Sequence, residues 1–209
     1  LAQEAPAHAY PQPSPQGEIA FQVVDTPTGL TELVERLSQA QVIAVDTETT
    51  STDQMSADLV GISLAVDESL GYYIPLGHRA ELGNQLPLEM VLSALHGPLT
   101  SPGIPKVGHN LKYDLIVLAR YGLQVTPLSF DTMIAEWLTN PTSRNLGLKN
   151  LAWVRLDLKM TEIQELIGSG KNQRTMAEVP ISHAAPYAAA DVVAVLRLLP
   201  VLRKDLEAT

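Results

Sequence analysis

The sequence predicts an α/β fold in which a mixed β-sheet is flanked by helices, and three observations carry that prediction. The run from Gln41 to Thr47 is apolar and rich in β-branched residues, as a buried strand requires. Two more strand-like runs, Leu59 to Val66 and Gly71 to Leu76, follow with no helical stretch between them. From Pro87 onward helical periodicity dominates, broken by one short strand at Lys106-Val107-Gly108. Strands in sequence followed by helices alternating with a strand suggest a layered domain with a mixed sheet.

Taken in order, residues 1 to 18 are Ala-, Pro- and Gln-rich and are expected to form a linker or disordered tail. Residues 19 to 209 then make one domain, of a length that buries a substantial core. Ile19 to Val24 is a short strand and Leu30 to Leu37 a helix. The strand at Gln41 to Thr47 and the two after it, joined through Asp67-Glu68-Ser69, are expected to form an antiparallel meander. Helices follow over Pro87 to His96, Asn110 to Tyr121 (stopped by Gly122), Asp131 to Leu138, Leu146 to Arg155 and Pro186 to Leu199.

Composition narrows the function. Cysteine is absent from the sequence, which excludes disulfides and thiolate metal sites. No continuous apolar run approaches the roughly 18–20 residues that span a bilayer, and no secretory signal pattern opens the chain. No membrane partner and a cytoplasmic location are expected. The net charge of −9 argues against a scaffold that grips duplex DNA through bulk charge, and less against an enzyme that holds a few nucleotides through cations.

Three segments carry candidate chemistry. In Asp46-Thr47-Glu48, at the end of the apolar strand, carboxylates at i and i+2 share one face and suit a hard divalent cation. The same spacing recurs at Asp205 and Glu207, where a solvated tail accounts for it. Gly108-His109-Asn110-Leu111-Lys112-Tyr113-Asp114 reads as a strand-to-helix turn with Asn110 as the cap. Tyr187 and Asp191 lie four apart on one helical face, and the alanines between them leave room for a ligand or a close-packed strand. His78, His96 and His183 are given no catalytic role.

Together these segments resemble the DEDD exonuclease superfamily in its tyrosine version, and most closely the proofreading 3′→5′ exonuclease domain of bacterial, family-A DNA polymerase I. The resemblance covers about residues 20 to 207. Asp46 and Glu48 match the first motif, Asp114 the second, and Tyr187 with Asp191 the third; Phe130-Asp131-Thr132-Met133 and Gly170-Lys171-Asn172-Gln173 are similar flanks. The histidine version places His five before the last Asp, where this chain has Pro186.

The resemblance implies a ribonuclease-H-like fold and a metal-dependent hydrolase acting on single-stranded DNA 3′ ends in replication and repair. It further implies two divalent ions, Mg²⁺ or Mn²⁺ with Zn²⁺ admissible at one site, held by Asp46, Glu48, Asp114 and Asp191, with Tyr187 orienting the attacking water. Substrate contacts are implied for Thr47 (main chain), His109, Asn110, Tyr113 and Arg144. Thr52 stands where the family has a leucine wedge, and Ile163 is placed in the core or along the cleft. A polymerase domain is expected C-terminal in the full-length chain, and the protein is expected to be a monomer. Two alternatives stay open: a ribonuclease D-like RNA 3′ exonuclease, and a non-catalytic module within a polymerase.

Overall fold

A computed structural model describes residues 19–208; the expectation for residues 1 to 18 lies outside the described residues. The chain enters through β1 (Ala20–Val23) and α1 (Pro27–Ser38). Thr26 caps α1, its side chain accepting from the Gly29 N–H, and Pro27 fits the first helical turn, where no N–H partner is needed. Next come β2 (Ile43–Thr49), β3 (Leu59–Ala65) and β4 (Leu70–Pro75), which form the expected antiparallel meander. The turn between β3 and β4 is fixed by Asp67, whose Oδ1 accepts from the N–H groups of Ser69 and Leu70.

After β4 run α2 (Leu88–Thr100), β5 (Lys106–Gly108), α3 (Lys112–Arg120), β6 (Leu128–Asp131), α4 (Thr132–Thr139), α5 (Leu148–Leu156), α6 (Ile163–Ile167) and α7 (Ile181–Glu207). The six strands among the described residues lie in the order β1-β4-β3-β2-β5-β6. β1 runs parallel to β4, β2 parallel to β5, and β5 parallel to β6. The sheet is therefore mixed, as expected, and β2 lies inside it.

Alternation along β2 divides the core. Ile43 and Val45 face one side, where they pack with Leu33, Leu37, Leu95, Leu99 and Leu118 of α1, α2 and α3. Ala44 faces the other, with Val192, Val195 and Leu196 of α7. Asp46 and Glu48 continue the Ala44 row, so the meander that builds the core also aims two carboxylates at α7. The helix comes very close there: a Cβ on Gly71 of β4 would lie 2.6 Å from the carbonyl oxygen and Cβ of Ala189. The alanines between Tyr187 and Asp191 serve this close packing against a strand.

Four expectations need correction. β6 was not expected; its four residues, Leu-Ser-Phe-Asp, are too few for a period-two signal to stand out. α3 begins at Lys112 rather than Asn110, because Asn110 has the left-handed φ of 57° that no helix residue adopts. Nor is Asn110 the cap. The Asp131 carboxylate caps the turn instead, accepting from the N–H groups of Asn110 and Leu111 while also accepting from Met133 and Ile134 at the start of α4. Finally, α7 runs 27 residues, starting five before Pro186 and continuing through Pro200. An 18-residue stretch of it is apolar enough in composition to cross a membrane, but it lies mostly buried as the core helix of the fold.

Candidate active site

The end of β2 is where the three candidate segments meet. Asp46 and Glu48 come from the strand, Asp191 from α7, and one carboxylate oxygen from each lies within 4.8 Å of the other two. Glu48 and Asp191 are buried and Asp46 half-buried. Three hard oxygen donors so close, with no histidine or thiolate among them, fit a divalent cation of the Mg²⁺ or Mn²⁺ type.

Asp114 stands apart from this trio. It is carried by α3, on the sheet face that Thr47 shares with Val45, and its Oδ1 accepts from Thr47 N (2.9 Å) and Thr47 Oγ1 (2.6 Å). The structure thus places Asp114 beside the cluster, buried and already hydrogen-bonded, rather than among the three oxygens that converge.

Burial, and for Asp46 and Glu48 mutual crowding as well, raises the carboxyl groups. Asp46 is pushed well above its ordinary value by burial first, then by the charges of Asp114, Glu48 and Asp191. Glu48 rises to about 8, through burial and then the charge of Asp191. Burial carries Asp114 to about 7 against the pull of its Thr47 hydrogen bonds, and Asp191 is raised by burial against the pull of Lys149. A cation bound among them reverses this logic, because each ionised carboxylate gains a partner.

The floor beneath Glu48 is a tyrosine–histidine pair. Glu48 is paired across the sheet with Gly61, and a Cβ there would lie 2.3 Å from the Tyr73 hydroxyl. Tyr73 Oη is 2.7 Å from His78 Nε2, and His78 Nδ1 is 2.9 Å from the Val179 carbonyl oxygen. A carbonyl only accepts, so Nδ1 carries the proton and Nε2 accepts from the tyrosine. Burial lowers the His78 pKa, keeping the imidazole neutral in this supporting role.

Tyr187 is half-buried, one turn before Asp191 on α7. Burial and the charges of Asp191, Glu48 and Asp46 hold its phenol well above the ordinary range, so it stays protonated. Sequence reasoning missed Lys149, in the first turn of α5. Its Nζ forms an ion pair with Asp191 Oδ1 and lies 4.1 Å from the centre of the Tyr187 ring. Ser63, paired with Asp46 across the sheet, was missed too; its buried Oγ has no hydrogen-bond partner.

The predicted substrate residues distribute unevenly. Asn110 lies in the turn before α3, and its buried Oδ1 is without a partner. His109 is half-buried, with Nδ1 2.9 Å from Thr132 Oγ1, and burial lowers its pKa to about 4. Tyr113 reaches Thr49 Oγ1 at 2.5 Å and the Ser51 carbonyl, bracing the loop after β2. Thr47 has committed its N–H to Asp114 Oδ1. Arg144 and Thr52 are exposed and outside the cluster, while Ile163 packs with Tyr187 in a smaller apolar core.

A family described as 3′-5′ exonuclease matches residues 21–207. The chain is 45% identical over 188 residues to DNA polymerase I of Chloroflexus aurantiacus, covering 89% of this chain and 19% of that protein. It is 31% identical over 200 residues to ribonuclease D of a Shewanella species, covering 95% of this chain and 46% of the relative. Among solved structures, Brucella melitensis NrnC superposes with a TM-score of 0.66 at 26% identity, covering 90% of this chain and 82% of that one. The chain spans about a fifth of the length of the DNA polymerase I relatives it matches.

Proposed function

This chain belongs to the 3′-5′ exonuclease family of DNA polymerase I, and from that premise we propose that it removes nucleotides from the 3′ end of single-stranded DNA. The products are nucleoside 5′-monophosphates, and the role is proofreading for a polymerase domain that follows in the full-length protein. Residues 19 to 209 would form this catalytic domain, acting as a monomer in the cytoplasm. The observation that carries the reading is the convergence of Asp46, Glu48 and Asp191 within 4.8 Å, beside the buried Asp114.

In this reading Asp46, Glu48 and Asp191 would hold two divalent cations, with Asp114 acting mainly through bound water. Bound there, the cations supply an acidified water and offset charge on the leaving 3′-oxygen. The protein's own groups do the rest. Tyr187, kept protonated, donates a hydrogen bond that orients the attacking water and does not serve as a base. The unpartnered Oδ1 of Asn110 accepts from a sugar hydroxyl, which satisfies a buried acceptor that is otherwise unpaired. Neutral His109 stands beside it as an uncharged contact, and Arg144 meets phosphate from the rim.

A second reading, an RNA 3′ exonuclease, is favoured by the match to ribonuclease D over 95% of this chain. One experiment separates the readings. A 5′-labelled single-stranded DNA 20-mer and its RNA counterpart are followed with Mg²⁺, Mn²⁺ or EDTA. We expect the DNA to shorten from its 3′ end only with metal. Faster shortening of the RNA would favour the second reading, and no cleavage of either with metal would favour a non-catalytic module.

A further inference from the structure

Lys149 stands where helix electrostatics favour an anion. It is the second residue of α5, and the unpaired N–H groups of a first turn attract negative charge and repel an ammonium. Its side chain is only 14% exposed. Docking does not require the charge, because α5 is anchored through the apolar Leu151 and Ala152 in cores shared with α7. What compensates the lysine is the site itself. The Asp191 carboxylate pairs with Nζ on one side, and the face of the Tyr187 ring takes it on another. Both partners belong to the third motif, and the ammonium lies close enough to pull on the Asp46 and Glu48 carboxyls as well.

Resting on the reading of the three carboxylates as a metal centre, we propose that Lys149 is a resident cation that competes with the divalent ion for Asp191. It holds Asp191 and Tyr187 in place and must give up Asp191 Oδ1 when the ion binds. The consequence is a site tuned to weaker metal affinity than its carboxylates alone would give. Lys149 is a positioning residue here; it acts on the cluster and touches no reacting atom.

Charge gives the sign. Removing a unit positive charge next to a buried cation site strengthens binding of a doubly charged ion, whereas removing a merely structural side chain loosens Asp191 and weakens it. Mn²⁺ is titrated into the wild type, K149Q, K149R and the exposed-lysine control K159Q, with free Mn²⁺ read by electron paramagnetic resonance. Melting temperatures are taken in EDTA and in saturating Mn²⁺. We expect K149Q to bind Mn²⁺ at least about tenfold more tightly, with K149R and K159Q within about threefold of wild type. K149Q should melt below wild type in EDTA and level with or above it in saturating Mn²⁺. A K149Q protein that folds with Mn²⁺ but not in EDTA supports the proposal equally. Unchanged or weaker Mn²⁺ binding by K149Q overturns it, as does failure to fold in either condition. A wild type that binds no Mn²⁺ overturns instead the metal-centre reading on which the proposal rests.

Discussion

Replacing Glu48 by glutamine should stabilise the metal-free protein, and by an amount that depends on pH. Glu48 has its pKa raised from 4.5 to about 8 by burial and by Asp191. Because the folded value lies above the unfolded one, the stability that goes with the protonated group is complete below about pH 4.5. It is lost progressively as pH rises to about 8. At pH 7 the unfolded chain has released this proton and the folded chain has retained it, a difference of about 3 kcal/mol; at pH 5 it is below about 1 kcal/mol. Glutamine keeps the shape and has nothing to ionise. For a domain of this size the pH 7 difference corresponds to roughly 6–12 °C in melting temperature. Calorimetric melts in EDTA at pH 5, 6, 7 and 8 test this. The wild-type and Glu48→Gln curves should diverge with rising pH, and saturating Mg²⁺ should restore wild type more than the variant. Parallel curves across the range would refute the argument that burial and the Asp191 charge hold Glu48 protonated.

Other outcomes follow from the same geometry. Asp46→Ala and Asp191→Ala should nearly abolish hydrolysis in single-turnover assays at saturating Mg²⁺, because each removes a converging oxygen. Tyr187→Phe should lose about 100-fold or less, since it removes one orienting hydroxyl; wild-type cleavage by Asp46→Ala would contradict the assignment. Gly71→Ala should destabilise by about 1–3 kcal/mol in urea unfolding, because the new Cβ meets the Ala189 backbone at 2.6 Å. Single-stranded DNA binding, measured with Ca²⁺ at several salt concentrations, should be weak with a shallow salt slope, given the net charge of −9. Nanomolar duplex affinity with a steep slope would contradict that.

Much of the fold was legible where one residue row does one job. The β2–β4 meander followed from three apolar runs with turn residues between them, and Asp46 and Glu48 from their place in the period-two row beyond Ala44. What was hidden depended on partners distant in sequence. The cap on the Asn110 turn is an aspartate twenty-one residues downstream, so local capping rules pointed to the wrong side chain. β6 is ordered by pairing with β5, and four residues, two exposed and two half-buried, carry no pattern of their own. Pro186 looked like a helix start because it cannot donate to the preceding turn, yet tertiary packing of α7 on the sheet outweighs that lost bond. Lys149 carried a faint signal, a cation in a helix first turn, that acquires meaning only beside Asp191.

The position of α7 in the chain sets the order in which the molecule becomes whole. This one helix packs on β1 to β5 and on α4 and α5, and it is made last among the described elements. A nascent chain that has emerged through β4 contains Asp46 and Glu48 together with the two strands of their meander. Until about 130 residues more, from Pro75 to Glu207, have been added, however, those two acids face a sheet surface that lacks the complete helix over it. Synthesis proceeds from the N-terminus at a few to some twenty residues per second, so that interval lasts from several seconds to about half a minute. During it Ala44 and Ala65, joined by Val107 once β5 is made, have no α7 to cover them. The carboxylate cluster and the cover over that sheet face are therefore completed by the same event, the docking of α7.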